Sequence, residues 1–532
     1  MTWPVEDRGL DARLNFKNDR VSDRDALRQL RTVKEIIRRL AGQAGIVLAD
    51  EVGMGKTFVA LGVAMMAALA DRGRRPVVVM VPSSLHEKWP RDFEVFRSRV
   101  IKRQEDQALR AVRADSGLEF FRLLDNKGRL RPHIIFLKHG AFHVQNIDHW
   151  VRLALIKRAL HGMHLGERRT ALPRFLARLL RTKTSYKEPD LFDKLLQTPS
   201  HQWRGVVNDH YHSRAELHLP DDPIPEAVER VLRSPDLDVA PLKECLRQLP
   251  VRESDSIEGR LDAARGTINE VLKDVWISTL SKARFRSPLL ILDEAHHLKN
   301  PATRLASLFV TPDAQEDVGT IAGALDGAFE RMMFLTATPF QLGHHELLSV
   351  IGRFRGIAWK TLQSSTRDRF IGELAELGVL LDRAQHRATE LDIRWRSLRT
   401  EDIAASDGRP QALEEWWKAA STDTKALPER IQVVMRAYEG ARMAMKDAEQ
   451  PLRKWVIRHL RDRHLPNVDV PRRARYPGCA IAAGMRGEGG LPIAEDALLP
   501  FFLTGSAGAG GCGARTGTSW AGDLCGGACF EL

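Results

Sequence analysis

Cysteine is scarce in this chain and poorly placed for a disulfide framework. Of five cysteines in 532 residues, four (Cys479, Cys512, Cys525 and Cys529) lie in the last 54. The body of the chain is left with Cys245 alone. This excludes a disulfide-stapled fold and suits a reduced, cytoplasmic setting. The spacings of the late cysteines, 33, 13 and 4, fit no zinc module. Long apolar runs are missing too. No stretch of about 18 apolar residues is free of charge, so no transmembrane helix and no membrane partner are expected. Met1 to Arg20 is dense in charge and lacks the apolar run of a secretory signal. No internal repeat is present. Hydrophobic residues make up 43% of the chain, enough for a globular protein of about two to four domains. The net charge of +12 suits a polyanionic partner.

Five short apolar runs stand out: Gly45–Ala49, Val77–Val81, Ile134–Leu137, Leu289–Leu292 and Met332–Leu335. Continuous runs of this length suit strands buried on both faces of a parallel sheet. Helical segments alternate with them. Residues 22–42 read as a basic amphipathic helix with Leu27, Leu30, Val33, Ile36, Ile37 and Leu40 at helical spacing, and Thr57–Ala70 as a helix stopped by Gly73. The predicted class is α/β: a lobe built on a parallel sheet, with a large all-helical insertion, a helical C-terminal extension and a disordered tail. The expected divisions are 1–143 and 285–365 for the two halves of the lobe, 144–284 for the insertion, 366–465 for the extension and 466–532 for the Gly/Cys-rich tail.

Two motifs carry the chemistry. Asp50-Glu51-Val52-Gly53-Met54-Gly55-Lys56-Thr57 follows a strand run and opens a helix. A glycine loop in that setting lets backbone N–H groups surround phosphate oxygens at the positive end of a helix. Lys56 then reaches the β- and γ-phosphates of a nucleotide and the Thr57 hydroxyl holds Mg²⁺. The second motif, Asp293-Glu294-Ala295-His296-His297-Leu298-Lys299-Asn300, follows the run Leu289–Leu292. There Asp293 suits Mg²⁺ and Glu294 suits a water-polarising base.

These motifs resemble those of the Swi/Snf-like branch of superfamily-two DEAD/DEAH-box helicases. Leu48–Thr57 resembles its motif I. Asp293–Asn300 resembles its motif II, including the Lys299-Asn300 extension. Phe334-Leu335-Thr336-Ala337-Thr338-Pro339-Phe340-Gln341 resembles motif III, with Ala337 where Gly is common. Val79 to Leu85, followed by Trp89, resembles motif Ia. Ile134 to His139 stands where motif Ib belongs, and Gln29 where the branch reads adenine. The resemblance implies a RecA-like P-loop lobe that binds ATP and Mg²⁺. It places Gln29, Asp50, Glu51, Gly53, Met54, Gly55, Lys56 and Thr57 on the nucleotide, with Lys56, Asp293 and Glu294 as catalytic groups. It makes Thr336 and Thr338 coupling residues and Ser83 and Ser84 contacts to a nucleic-acid backbone. The implied activity is ATP-driven movement on double-stranded DNA.

Other features leave alternatives open. Arg168, Arg169, Arg174, Arg178, Arg181, Lys183 and Lys187 form a basic stretch in which Arg174, Arg178 and Arg181 share a helix face. It reads equally as a nucleic-acid track and as a solvated helix face. His210-Tyr211-His212 lacks the partners of a metal site. Nothing in the chain resembles the family's second-lobe signature Gln-x-x-Gly-Arg-x-x-Arg-x-Gly-Gln, whose arginines stabilise charge on the transferring phosphate. Leu452–His459 resembles the segment leading into that lobe, and about 70 residues follow it. The sequence therefore suits three accounts. It is the ATP-binding lobe of a truncated motor, one half of a split motor completed by another polypeptide or complex, or an ATP- or DNA-binding module that does no mechanical work.

Overall fold

A computed structural model of the chain describes residues 9–17, 21–50, 53–71, 75–142, 148–164, 168–180, 188–249, 257–282, 285–298, 300, 303–309, 323, 325–336, 344–398, 402, 416–417, 420, 422 and 427–459. Glu51, Arg181, Thr338 and the tail 466–532 lie outside the described residues.

All five predicted runs are strands, and two more join them. In chain order they are β1 (Gly45–Leu48), β2 (Val77–Val81), β3 (Ala111–Ala114), β4 (Ile134–Lys138), β5 (Ser287–Leu292), β6 (Phe329–Leu335) and β7 (Val456–Ile457). They form one sheet in the order β3-β4-β2-β5-β6-β1-β7, and every pairing is parallel. The lobe is α/β, as its alternating strands and helices predict.

Side chains alternate across the sheet with the period of two that a strand imposes. Val77, Val79 and Val81 of β2 enter one apolar core, and Val78 and Met80 enter the other. The first core is closed by the helices Asp23–Gly42, Lys56–Ala70 and Lys88–Arg99. Ser22 caps the first of these by accepting the Asp25 amide at 3.1 Å. Its buried stripe is Val33, Ile36, Ile37 and Leu40. Leu27, expected on that stripe, is 47% exposed. The helix Lys56–Ala70 is buried over most of its circumference, and its composition is correspondingly apolar.

The second core is larger. The described residues between β4 and β5 contain helices and no strand, the longest helix being Ile257–Lys282. Their apolar faces share one continuous core with the sheet. The same core takes in the helices His344–Gly352, Arg367–Arg396 and Glu429–Trp455. The last two pack along each other. Trp416 and Trp417 are buried beside them, with the Trp417 ring 4.8 Å from Tyr438.

After Glu429–Trp455 the chain joins the sheet at its edge. Val456 and Ile457 pair with Val47 and Leu48, and the Ala49 amide donates to the Ile457 carbonyl at 2.8 Å. Among the described residues no helix is long and apolar enough to cross a membrane.

Candidate nucleotide site

In an open parallel sheet, ligands gather beyond the carboxyl ends of the strands. At that edge β1 delivers the glycine loop, β6 delivers Thr336, β5 delivers Asp293 and β2 delivers Ser83. β6 lies between β1 and β5. The Thr336 amide donates to the Leu48 carbonyl at 3.1 Å, which fixes the end of β6 beside the loop.

The loop has the backbone its glycines predict. Gly53 and Gly55 adopt φ of 87° and 81°, in the left-handed region open to glycine. Gly55 directly precedes the helix Lys56–Ala70, so the helix N-terminus, with its positive dipole end, opens at the loop. A Cβ on Gly55 would fall 2.4 Å from Nε2 of Gln29. Gln29 therefore lies against the loop. Lys56 and Thr57 are half-buried. The Lys56 ammonium donates to the Asp50 carbonyl at 2.6 Å.

Asp293 stands across from this loop. Burial raises its carboxyl above the usual carboxylate range, and the charge of Glu294 adds to that. A hydrogen bond from Trp89 and the nearby Lys56 ammonium pull the other way. The Trp89 indole donates to Oδ2 at 2.9 Å and the Glu294 amide to Oδ1 at 2.9 Å. A carboxylate held in this way is a ready place for a divalent cation, whose charge would offset the cost of burial. Glu294 has φ of 52°, the one positive value for a non-glycine among the described residues. Such a conformation costs about 1–3 kcal/mol and tends to accumulate where function requires it. Its carboxylate lies 3.0 Å from Nδ1 of His296.

The His296 and His297 rings are 4.2 Å apart, and His297 meets His139 at 5.7 Å. Burial, then the neighbouring His297, pushes the His139 ring down to about 4. Its unfolded value is about 6.5. Below pH 6.5 the unfolded chain binds a proton that the folded chain refuses until about pH 4. Stability from this group is thus complete above pH 6.5 and falls through that window, by ~2 kcal/mol at pH 5. Urea midpoints at pH 7.5 and pH 5 check this. His139→Gln should lose less stability between the two than the unsubstituted chain, and equal losses would contradict the assignment.

The predicted residues do not all converge. Asp50, expected on the nucleotide, is fully buried. Its Oδ1 accepts the His459 amide at 2.8 Å and lies 2.9 Å from that ring's Nδ1, and its Oδ2 is 3.5 Å from the Arg28 guanidinium. A carboxylate engaged in this way ties the end of β1 to the returning chain and to the helix Asp23–Gly42. Ser83 and Ser84 are exposed at the end of β2. Arg174 is exposed, but Arg178 is paired with Glu258. The expected basic face is thereby partly neutralised. His210 hydrogen-bonds the Glu188 carboxylate at 2.6 Å. His344, His345 and Asp382 lie close enough for a cation, and the 2.8 Å hydrogen bond from His344 to Asp382 already explains their proximity.

Sequence reasoning gave no role to Trp89, Arg28 or His139. Trp89 had been placed beside motif Ia, yet its partner Asp293 is 204 residues away. Arg28 precedes Gln29, and its Nη2 donates to the Met54 carbonyl at 2.7 Å. Nothing local in the sequence announces either contact.

A glycine loop at a helix start lies at the carboxyl edge of the parallel sheet, where β5 also brings the buried Asp293. Residues 28–108, from the Arg28–Gln29 pair through the loop and β2, match the SNF2-related domain family. The matched stretch carries the glycine loop and is consistent with one lobe of a Swi/Snf-like protein. No curated protein matches the chain.

Proposed function

We propose that the chain is the ATP-binding lobe of a Swi/Snf-like DNA translocase, which hydrolyses ATP to move on double-stranded DNA when a second lobe closes over the site. The observation that carries this reading is the convergence of Lys56 and Asp293, 237 positions apart, at one sheet edge. The residues fit MgATP. Backbone amides of Gly53, Met54 and Gly55 receive phosphate oxygens, and Lys56 leaves the Asp50 carbonyl to meet the β- and γ-phosphates. Thr57 and Asp293 hold Mg²⁺, which when bound neutralises charge on the phosphates. Glu294 orients and deprotonates the attacking water, helped by the backbone turn that sets its direction. Gln29 lies where adenine is read, and Thr336 ties the state of the site to β6. Ser83, Ser84 and Arg174 are exposed and suited to a phosphate backbone.

Turnover of MgATP by the full chain, with and without duplex DNA, tests the proposal. Nucleotide binding with slow turnover is expected, because the sequence carries no arginine-finger signature to stabilise the transition state. Adding a polypeptide that carries that signature should speed hydrolysis. Fast DNA-stimulated hydrolysis by the chain alone would refute the need for a second lobe, and failure to bind nucleotide would refute the reading itself.

A further inference from the structure

We infer that Asp50 and His459 are positioning residues that latch β7 to the phosphate loop, so that nucleotide binding and attachment of the returning chain strengthen each other. This rests on the reading of the loop as a nucleotide site.

β7 contributes only two residues to the sheet, both paired with β1. Besides the Ala49–Ile457 hydrogen bond, the approach to it is held by the Arg39 guanidinium on the Arg453 carbonyl at 2.5 Å and the Gln43 amide on the Lys454 carbonyl at 2.9 Å. A strand this short has few ladder bonds, so its attachment depends on side chains. The side-chain attachment nearest the loop is Asp50, which receives both the backbone and the ring of His459, a residue 409 positions away. His459 is 5% exposed and Asp50 fully buried, so neither exchanges its partner freely for water.

The latch is continuous with the phosphate loop on two sides. On one, the Asp50 carbonyl holds the Lys56 ammonium at 2.6 Å. On the other, Arg28 lies 3.5 Å from the Asp50 carboxylate while donating to the Met54 carbonyl. The next residue, Gln29, presses on Gly55. A phosphate that orders Gly53–Gly55 and draws Lys56 away from Asp50 acts on the same backbone that carries the latch. Two binding events that share an ordered element are coupled, and the coupling is reciprocal. Chain leaving at His459 would thus be held to the lobe more firmly when nucleotide is present.

The test has two measurements on the full chain. Hydrogen exchange at residues 456–459 should slow about fivefold or more when MgATP is added, and should not respond to MgATP in Lys56→Ala. His459→Ala should weaken MgATP binding about fivefold or more, and His459→Asn, which keeps a side-chain N–H donor, should restore much of it. Restoration by asparagine separates positioning from simple loss of packing. If MgATP binds the unsubstituted chain normally, while exchange at 456–459 is unmoved and His459→Ala binds as well, the latch is refuted and the nucleotide reading survives. If the unsubstituted chain binds no MgATP, both fall together. Should His459→Ala not fold, hydrogen exchange on the unsubstituted chain decides alone.

Discussion

Lys56→Ala is expected to lower the affinity of the chain for MgATP by about 10- to 100-fold. A hydrogen bond to a charged group contributes about 1.5–3 kcal/mol, and each 1.4 kcal/mol is a factor of ten. Lys56 serves the site twice. Its ammonium rests on the Asp50 carbonyl at 2.6 Å, ready to move to phosphate. It also offsets part of the burial that raises the Asp293 carboxyl. Alanine removes the phosphate donor and leaves Asp293 more prone to bind a proton in place of a cation. Titration with a fluorescent ATP analogue at fixed Mg²⁺ measures the effect. The variant should keep the circular-dichroism spectrum of the unsubstituted chain, since Lys56 is only half-buried at the helix start and alanine favours a helix. Unchanged affinity would mean that phosphates do not sit at the loop.

The largest stability effect is expected at a residue far from that chemistry. Arg331→Ala should destabilise the fold by about 3–5 kcal/mol, the range for removing a buried group that satisfies several others. Arg331 is 1% exposed although it carries a guanidinium. It donates to the carbonyls of Leu40 at 2.7 Å and Glu330 at 2.6 Å, and to the Thr361 carbonyl and hydroxyl at 3.3 Å each. Burial pushes its own proton affinity down to about 10, so it remains charged at neutral pH. One side chain thereby joins the end of the helix Asp23–Gly42, strand β6 and the turn at Trp359–Thr361. Alanine would leave buried carbonyls without donors and a cavity in their midst. Denaturant unfolding followed by tryptophan fluorescence measures the loss. Arg174→Ala, at an exposed position, serves as a control within about 0.5 kcal/mol of zero. A loss below ~1 kcal/mol for Arg331→Ala would show that water or neighbouring groups replace the guanidinium.

How much of this was legible depends on where each strand sits. The five strands read from the sequence are the inner five, and continuous burial wrote their apolar runs. The two that escaped, β3 and β7, are the sheet's edges. Ala111-Val112-Arg113-Ala114 is only partly buried and carries an exposed arginine, so its pattern is weak. Val456–Ile457 follows a 27-residue helix, and its pairing partner lies about 410 positions earlier. No local periodicity reports such a partner. β6 starts three residues earlier than its apolar run, because Glu330 is paired with Arg75 and Arg331 finds carbonyls. Buried charge hides a strand from a hydrophobicity reading.

The site divides in the same way. Gly53, Gly55, Lys56 and Asp293 stand out in the sequence because each sits in a motif whose geometry is local, a loop before a helix or a turn after a strand, whereas Gln29 lies within the helix Asp23–Gly42 and meets the loop only through the fold. Asp50 stands in the same motif as Gly53, but the partners of its side chain, Arg28 and His459, come from elsewhere in the chain. Trp89 and His139 converge on Asp293 for the same reason, through the sheet order and not through spacing.

That order also sets a dimension. Strand β6 stands between the strand that ends in the glycine loop and the strand that ends in Asp293, and neighbouring strands lie about 4.8 Å apart. The two walls of the site are thus the jaws of a caliper about 9.6 Å wide, set by two ladders of backbone hydrogen bonds and insensitive to most side-chain changes. The jaws share no direct bond through the ladder: each is paired to β6, whose Met332–Leu335 register joins them and whose end carries Thr336.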